Sequence, residues 1–99
     1  MARNARTHLE QLVAADPDVQ EEYDALRLRR ATIAQLRALR ERKHWTQQQL
    51  ADAVGMPRSA IARLESAEHS PRLETLHAVA RVLGYDVDVR FKRRRVPAA

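Results

Sequence analysis

Cysteine is absent from the 99-residue chain, so disulfides, thiolate metal sites and thiol nucleophiles are excluded. Aromatic residues make up only 4%, and Trp45 and Tyr85 read as core rather than as stacking platforms. Glycine and proline are scarce: Gly55 and Gly84, Pro17, Pro57, Pro71 and Pro97. No apolar run approaches the roughly 20 residues that a membrane span needs. The first eight residues, Met1 to His8, lack an apolar h-region and do not read as a signal peptide, which makes the cytosol the expected compartment. His8, His44, His69 and His77 are dispersed, with no H-E-x-x-H spacing, and no G-x-S-x-G, P-loop or G-x-G-x-x-G occurs. The acidic residues of the head lack a histidine partner or a tight D-x-D loop. No enzyme, metal site or cofactor is expected.

What the chain does have is one domain's worth of residues, 44% of them hydrophobic and 31% charged. Its net charge of +5 is unevenly spread. Residues 1–26 carry two arginines against Glu10, Asp16, Asp18, Glu21, Glu22 and Asp24. Residues 27–43 carry six arginines and Lys43 against Glu41 alone. Residues 44–85 balance, and residues 86–99 are basic again. A basic chain is consistent with a nucleic-acid partner, although basic runs are as often plain solvated helix faces.

The few prolines and glycines punctuate helical periodicity. Leu9, Leu12 and Val13 predict a short amphipathic helix over residues 5–15. Asp16 then reads as an N-cap with Pro17 at the first helical position. Val19, Tyr23, Leu26, Ile33, Leu36 and Leu39 continue at helical spacing to residue 43, with a bend or break expected near Leu28–Arg30, where the stripe is interrupted. Thr46 and Gln49 form a capping-box pattern for a helix over 46–54, ended by Gly55. Ala60, Ile61 and Leu64 mark a helix over 57–65. Ser70-Pro71 is expected to start the next, with Leu73, Leu76, Val79, Ala80 and Leu83 on one face and Gly84 as its stop. From Tyr85 to Lys92 the period changes to two, because Val87, Val89 and Phe91 alternate with charges, which predicts a half-buried strand.

Two short helices around a glycine turn, within residues 46–65, have a helix-turn-helix layout. The first buries Leu50, Ala51 and Val54; the second buries Ile61 and Leu64 and projects Arg58, Ser59, Ala62 and Arg63. An arginine at the start of such a helix suits bidentate reading of guanine, and Gln47 with its helix N-terminus suits a phosphate. An ordinary helical hairpin with exposed arginines fits the spacing equally well.

The run Thr46-Gln47-Gln48-Gln49-Leu50-Ala51, the turn Val54-Gly55-Met56-Pro57 and the stretch Arg58 to Ser66 closely resemble the Xre family, the phage-repressor and Cro type of helix-turn-helix. The resemblance covers about residues 33–84, through Pro71-Arg72-Leu73-Glu74-Thr75-Leu76 to Leu83-Gly84. It implies a mainly α, lambda-repressor-like bundle that binds operator DNA through Gln47, Pro57, Arg58, Ser59, Arg63, Ser66 and His69. It also implies a structural ion pair between Arg40 and Glu65. Trp45 stands where the family usually has an aliphatic residue, and Ala67 where glycine is common. The implied organisation is an acidic helical extension (1–32), a DNA-binding domain (33–84), and a dimerisation strand with a basic tail (85–99). A lone strand leaves its backbone groups unpaired, so Val87, Val89 and Phe91 are expected in a strand that pairs with its copy across a homodimer; a strand that docks on a different protein's sheet, or a disordered tail, are the alternatives.

The segment Ala15-Asp16-Pro17-Asp18-Val19 to Tyr23-Asp24-Ala25-Leu26, with the final Gly84-to-Phe91 pattern, further resembles HigA-type antitoxins. That likeness implies a bacterial cytoplasmic repressor of its own operon that neutralises a small basic ribonuclease toxin, which an acidic head suits. A stand-alone Xre regulator without a toxin, and a protein-interaction module that has lost DNA binding, are the competing readings.

Overall fold

The computed structural model describes residues 16–95. Four helices follow in order: α1 (Pro17–Arg42), α2 (Gln47–Val54), α3 (Arg58–Glu65) and α4 (Leu73–Val82). The helix expected over 5–15 and the last four residues of the tail lie outside the described residues.

α1 begins as its sequence dictates. The Asp16 carboxylate accepts from the Asp18 N–H at 3.0 Å, and Pro17 occupies the first turn, where no N–H is needed. Its 26 residues make a rod about 39 Å long. The bend expected near Leu28–Arg30 does not occur. No glycine or proline interrupts that stretch, and the one β-branched hydroxyl, Thr32, donates back to the Leu28 carbonyl at 2.7 Å without breaking the helix. The interrupted stripe marks a change in what α1 packs against: its buried residues are Ile33 and Leu36, both in its second half.

Three helix ends share one device. After α1, the N–H of His44 donates to Glu41 and that of Trp45 to Arg40, with His44 at φ 59°. After α4, Gly84 donates to Arg81 and Tyr85 to Ala80, with Gly84 at φ 92°. After α3, Ala67 donates to Leu64 at φ 57°. These left-handed turns satisfy carbonyls the helices leave over. α2 has both hydrogen bonds of the capping box, Gln49 N–H to Thr46 Oγ1 and Thr46 N–H to Gln49 Oε1, and stops at Gly55 with φ 78°.

α4 starts at Leu73, with Arg72 as its N-cap, rather than at Ser70-Pro71. Residues 70–72 are outside any helix, and Arg72 is extended, at φ −77° and ψ 145°. Leu73 consequently sits at the rim, 63% exposed, instead of on the inward face. The core comprises Ile33, Leu36, Leu50, Ala51, Ile61, Leu76, Val79, Ala80 and Leu83, with Leu39, Trp45, Val54, Met56 and Leu64 packed around it. α2 packs on both α3 and α4, and α1 packs on α3.

The strand expected over residues 85–92 is not formed. Tyr85 to Arg95 run without regular secondary structure, and Val89 and Phe91 are 59% and 97% exposed. A strand exists only through a ladder, and among the described residues there is no second strand to supply one. No helix among the described residues is long and apolar enough to cross a membrane.

Candidate nucleic-acid interface

The site is built on α3, whose inner face is fixed first. Ile61 is fully buried against Leu50 and Ala51 of the core, which sets the rotation of the helix about its axis. Its far end is fixed by Glu65. The Arg40 guanidinium, reaching from α1, donates through Nε to Glu65 Oε2 at 2.7 Å and through NH2 to Oε1 at 2.8 Å. Its third nitrogen donates to the Trp45 carbonyl at 2.7 Å. The two side chains retain only 11% and 4% exposure. This is a two-pronged, charge-assisted fork in a nearly dry place, joining α1, the turn before α2 and the end of α3. The hydrogen bond that Arg40 donates to Glu65 raises the Arg40 pKa above the ordinary arginine value; burial opposes this, and the charges of Glu65 and Glu41 add to it.

Gln47 turns toward the same pair, its Nε2 donating to Glu65 Oε1 at 3.3 Å. One amide hydrogen is thereby used, and the other remains for a ligand. Trp45 packs on the core edge, and Lys43 sits over its ring at 4.5 Å, an arrangement that holds a cation beside the motif.

With its base locked, α3 offers its outer face. Arg58, Ser59 and Arg63 are exposed, and none of their side chains enters a hydrogen bond or ion pair among the described residues. Ala62, expected on that face, is half-buried. Pro57 is the N-cap and supplies no side-chain cap, so the first amides of α3 are left to an external acceptor. Ser66 behaves differently: its hydroxyl donates to the Arg63 carbonyl at 2.6 Å and accepts from the Glu68 N–H at 3.4 Å. It serves the end of the helix. Arg63 and His69 come together on a shallow cleft of about 210 Å³, with Arg72 and Thr75 as further walls. Arg72 and Thr75 were missed in the sequence because the helix was expected to start at Ser70. The later start makes Arg72 the cap and brings it beside Arg63.

The sequence signature described as helix-turn-helix, HTH_3, matches residues 36–89, more than half of the chain. The chain is also similar to the "Immunity repressor protein" of Bacillus phage phi105, at 40% identity over 57 residues, which is 57% of this chain and 40% of that protein. The chain thus spans less than half the length of this curated relative. No solved structure gives a significant match. With the signature running from Leu36 in α1 to Val89 beyond α4, and the paired helices α2 and α3 inside it, the chain belongs to the helix-turn-helix family HTH_3.

Proposed function

We propose that this chain is a sequence-specific transcriptional repressor that lays α3 in the major groove of an operator. The carrying observation is the contrast within that one helix: Glu65 and Ile61 hold it immobile, while Arg58, Ser59 and Arg63 face solvent unpaired among the described residues. Arg58 reads base edges from the N-terminal turn, and Arg63 reads a base or holds a phosphate beside His69. Gln47 and Pro57 border the neighbouring phosphate, Gln47 through its remaining amide hydrogen. Ser66 contributes by shaping the turn that carries His69. The similarity to a phage immunity repressor supports repression as the outcome. Two copies, paired through Val87, Val89 and Phe91, would address two half-sites.

Replacing Arg58 or Arg63 with alanine is expected to cost roughly 1–3 kcal/mol on the specific operator and to leave folding unchanged. Gln47→Ala is expected to weaken binding to all sequences alike. Fluorescence anisotropy with the chain's own promoter, over a salt series, measures both; full affinity in the Arg58→Ala/Arg63→Ala variant overturns the assignment.

A second role, as antitoxin to a small basic ribonuclease, is favoured by one observation. Asp18, Glu21, Glu22 and Asp24 lie exposed on the half of α1 that no core residue covers. Such a face suits a basic protein. Co-expression with the adjacent gene, followed by co-purification, tests it. A chain starting at Arg29 that still rescued cells from that gene product would remove the acidic head from the role.

A further inference from the structure

A groove of about 970 Å³ runs between α1, the rim of α4 and the extended segment after Gly84. Leu28, Leu36, Leu73 and Leu76 lie in its wall, and the run from Tyr85 to Arg90, with Val87 and Val89 in it, closes it on the tail side. Leu28 and Leu73 are 71% and 63% exposed, and Phe91, two residues beyond Val89, is 97% exposed. Arg29 also lines it, and its Nε is buried with no acceptor among the described residues. The tail is drawn along α1, where Arg94 lies 3.8 Å from Asp24. An open apolar wall, an orphaned donor and an exposed ring therefore lie on one side of the molecule.

We infer that this groove is the seat for Phe91 of a second copy of this chain. The inference rests on the proposed pairing of the tail with its own copy and names where that pairing leads. The tail is self-complementary. In an antiparallel register centred on Val89, Asp88 meets Arg90 of the other copy, and Asp86 meets Lys92. A parallel pair sets like charges opposite each other. The same register sets Phe91 of one copy directly across from Val87 of the other. Residues 87, 89 and 91 share one face of an extended chain, and Val87 already lines the groove. Opposite side chains on one face lie about 5 Å apart, so the ring is delivered to the wall formed by Leu28 and Leu73. The incoming backbone carries the carbonyl acceptors that Arg29 lacks. Two-fold symmetry repeats the event, so both grooves fill at once.

The absence of cysteine allows a clean test. Val89→Cys in the full chain reads the pairing itself, because in this register residue 89 faces its own copy and a disulfide dimer forms on mild oxidation. Phe91→Ala and Leu28→Ala read the groove by sedimentation equilibrium. Both positions are exposed in the single chain, so both variants fold. Phe91→Ala is expected to weaken dimerisation on the order of 100-fold, since two rings leave their seats per dimer. With Leu28→Ala added, the loss is smaller than the product of the two separate losses, as for groups in contact. A Val89→Cys disulfide combined with a Phe91→Ala loss under about threefold overturns the groove while leaving the pairing intact. A Val89→Cys chain that forms no disulfide, or a wild-type chain that is monomeric at all concentrations, overturns the pairing and the groove together.

Discussion

From Ile33 to Leu83 every helix contributes side chains to one core, whereas residues 17–32 and the stretch after Gly84 contribute none. Both regions have apolar residues at regular spacing. In the first, those residues meet partners from other helices. In the second, Leu28, Val89 and Phe91 stay largely in water. Hydrophobic periodicity therefore says which face of an element is meant to be covered, and leaves open which molecule covers it. Ion pairs divide in the same way. Arg40–Glu65 is a two-pronged bridge with almost no exposure, while Arg94–Asp24 is a 3.8 Å contact between side chains 76% and 49% exposed.

The strongest way to break the contrast is to remove one partner from each pair. Arg40→Ala leaves the nearly buried Glu65 carboxylate without a counter-charge, held only by the Gln47 amide at 3.3 Å, and strips the Trp45 carbonyl of its donor. It is expected to cost roughly 3–5 kcal/mol of folding stability by urea denaturation. Arg94→Ala is expected to cost at most ~0.5 kcal/mol, because an exposed pair gains little. Equal losses would erase the distinction between the two regions. The pH dependence follows from the direction of the Arg40 shift. A raised cation pKa contributes stability that is fully present below the ordinary arginine value and is lost only as pH rises beyond it. Arg40 therefore adds no pH dependence near neutrality.

The helices inside the core region were legible because local chemistry and packing agree there. Thr46 and Gln49 announce the start of α2, Gly55 its end, and Ile61 the inner face of α3. The start of α4 was misread because Ser70-Pro71 is a valid helix opening by itself, and only the position of the core favours a start at Leu73. The bend expected in α1 was misread for the converse reason: an interrupted apolar stripe reports the loss of a packing surface, and backbone propensity alone carries the helix through it. For the candidate site, Arg58, Ser59 and Arg63 were readable as an outward face. The attraction of Gln47 to Glu65 was not, because it depends on where Arg40 brings the carboxylate.

A second test sharpens the contrast by acting only on the uncovered region. Proline at position 89 removes the donor that the proposed tail pairing needs, at a residue that is 59% exposed and lies outside the core. Val89→Pro is expected to leave the unfolding of the dilute chain unchanged. It is expected to weaken binding to a two-half-site operator by about 100-fold or more, since the linked second site is lost. Calorimetry and anisotropy on the same preparation separate the two effects. A dimer of undiminished operator affinity would place the subunit contact elsewhere.

The smallest effect lies at the junction where the core region hands the chain from α1 to the turn before α2. His44 and Gly84 occupy the same place in the same kind of helix ending, at φ 59° and 92°. The left-handed conformation costs an L-residue about 1–2 kcal/mol, and glycine returns roughly 0.5–1 kcal/mol of that gain through its freer unfolded chain. His44 is exposed, so no packing is lost with its ring, and the bonds from residues 44 and 45 to Glu41 and Arg40 are backbone bonds that glycine keeps. His44→Gly is therefore expected to stabilise the chain by about 0.5–1 kcal/mol. Gly84→Ala is expected to do the reverse by a similar amount. Nothing lies within 4 Å of the added Cβ, so its cost is one of backbone conformation alone. Ala67 shares the geometry but packs partly on the core, so Ala67→Gly gives back methyl contact as it relieves the backbone, and its gain is smaller than that at His44. Thermal unfolding of the three variants ranks them. A loss of stability in His44→Gly would show that the imidazole holds the turn through contacts of its own.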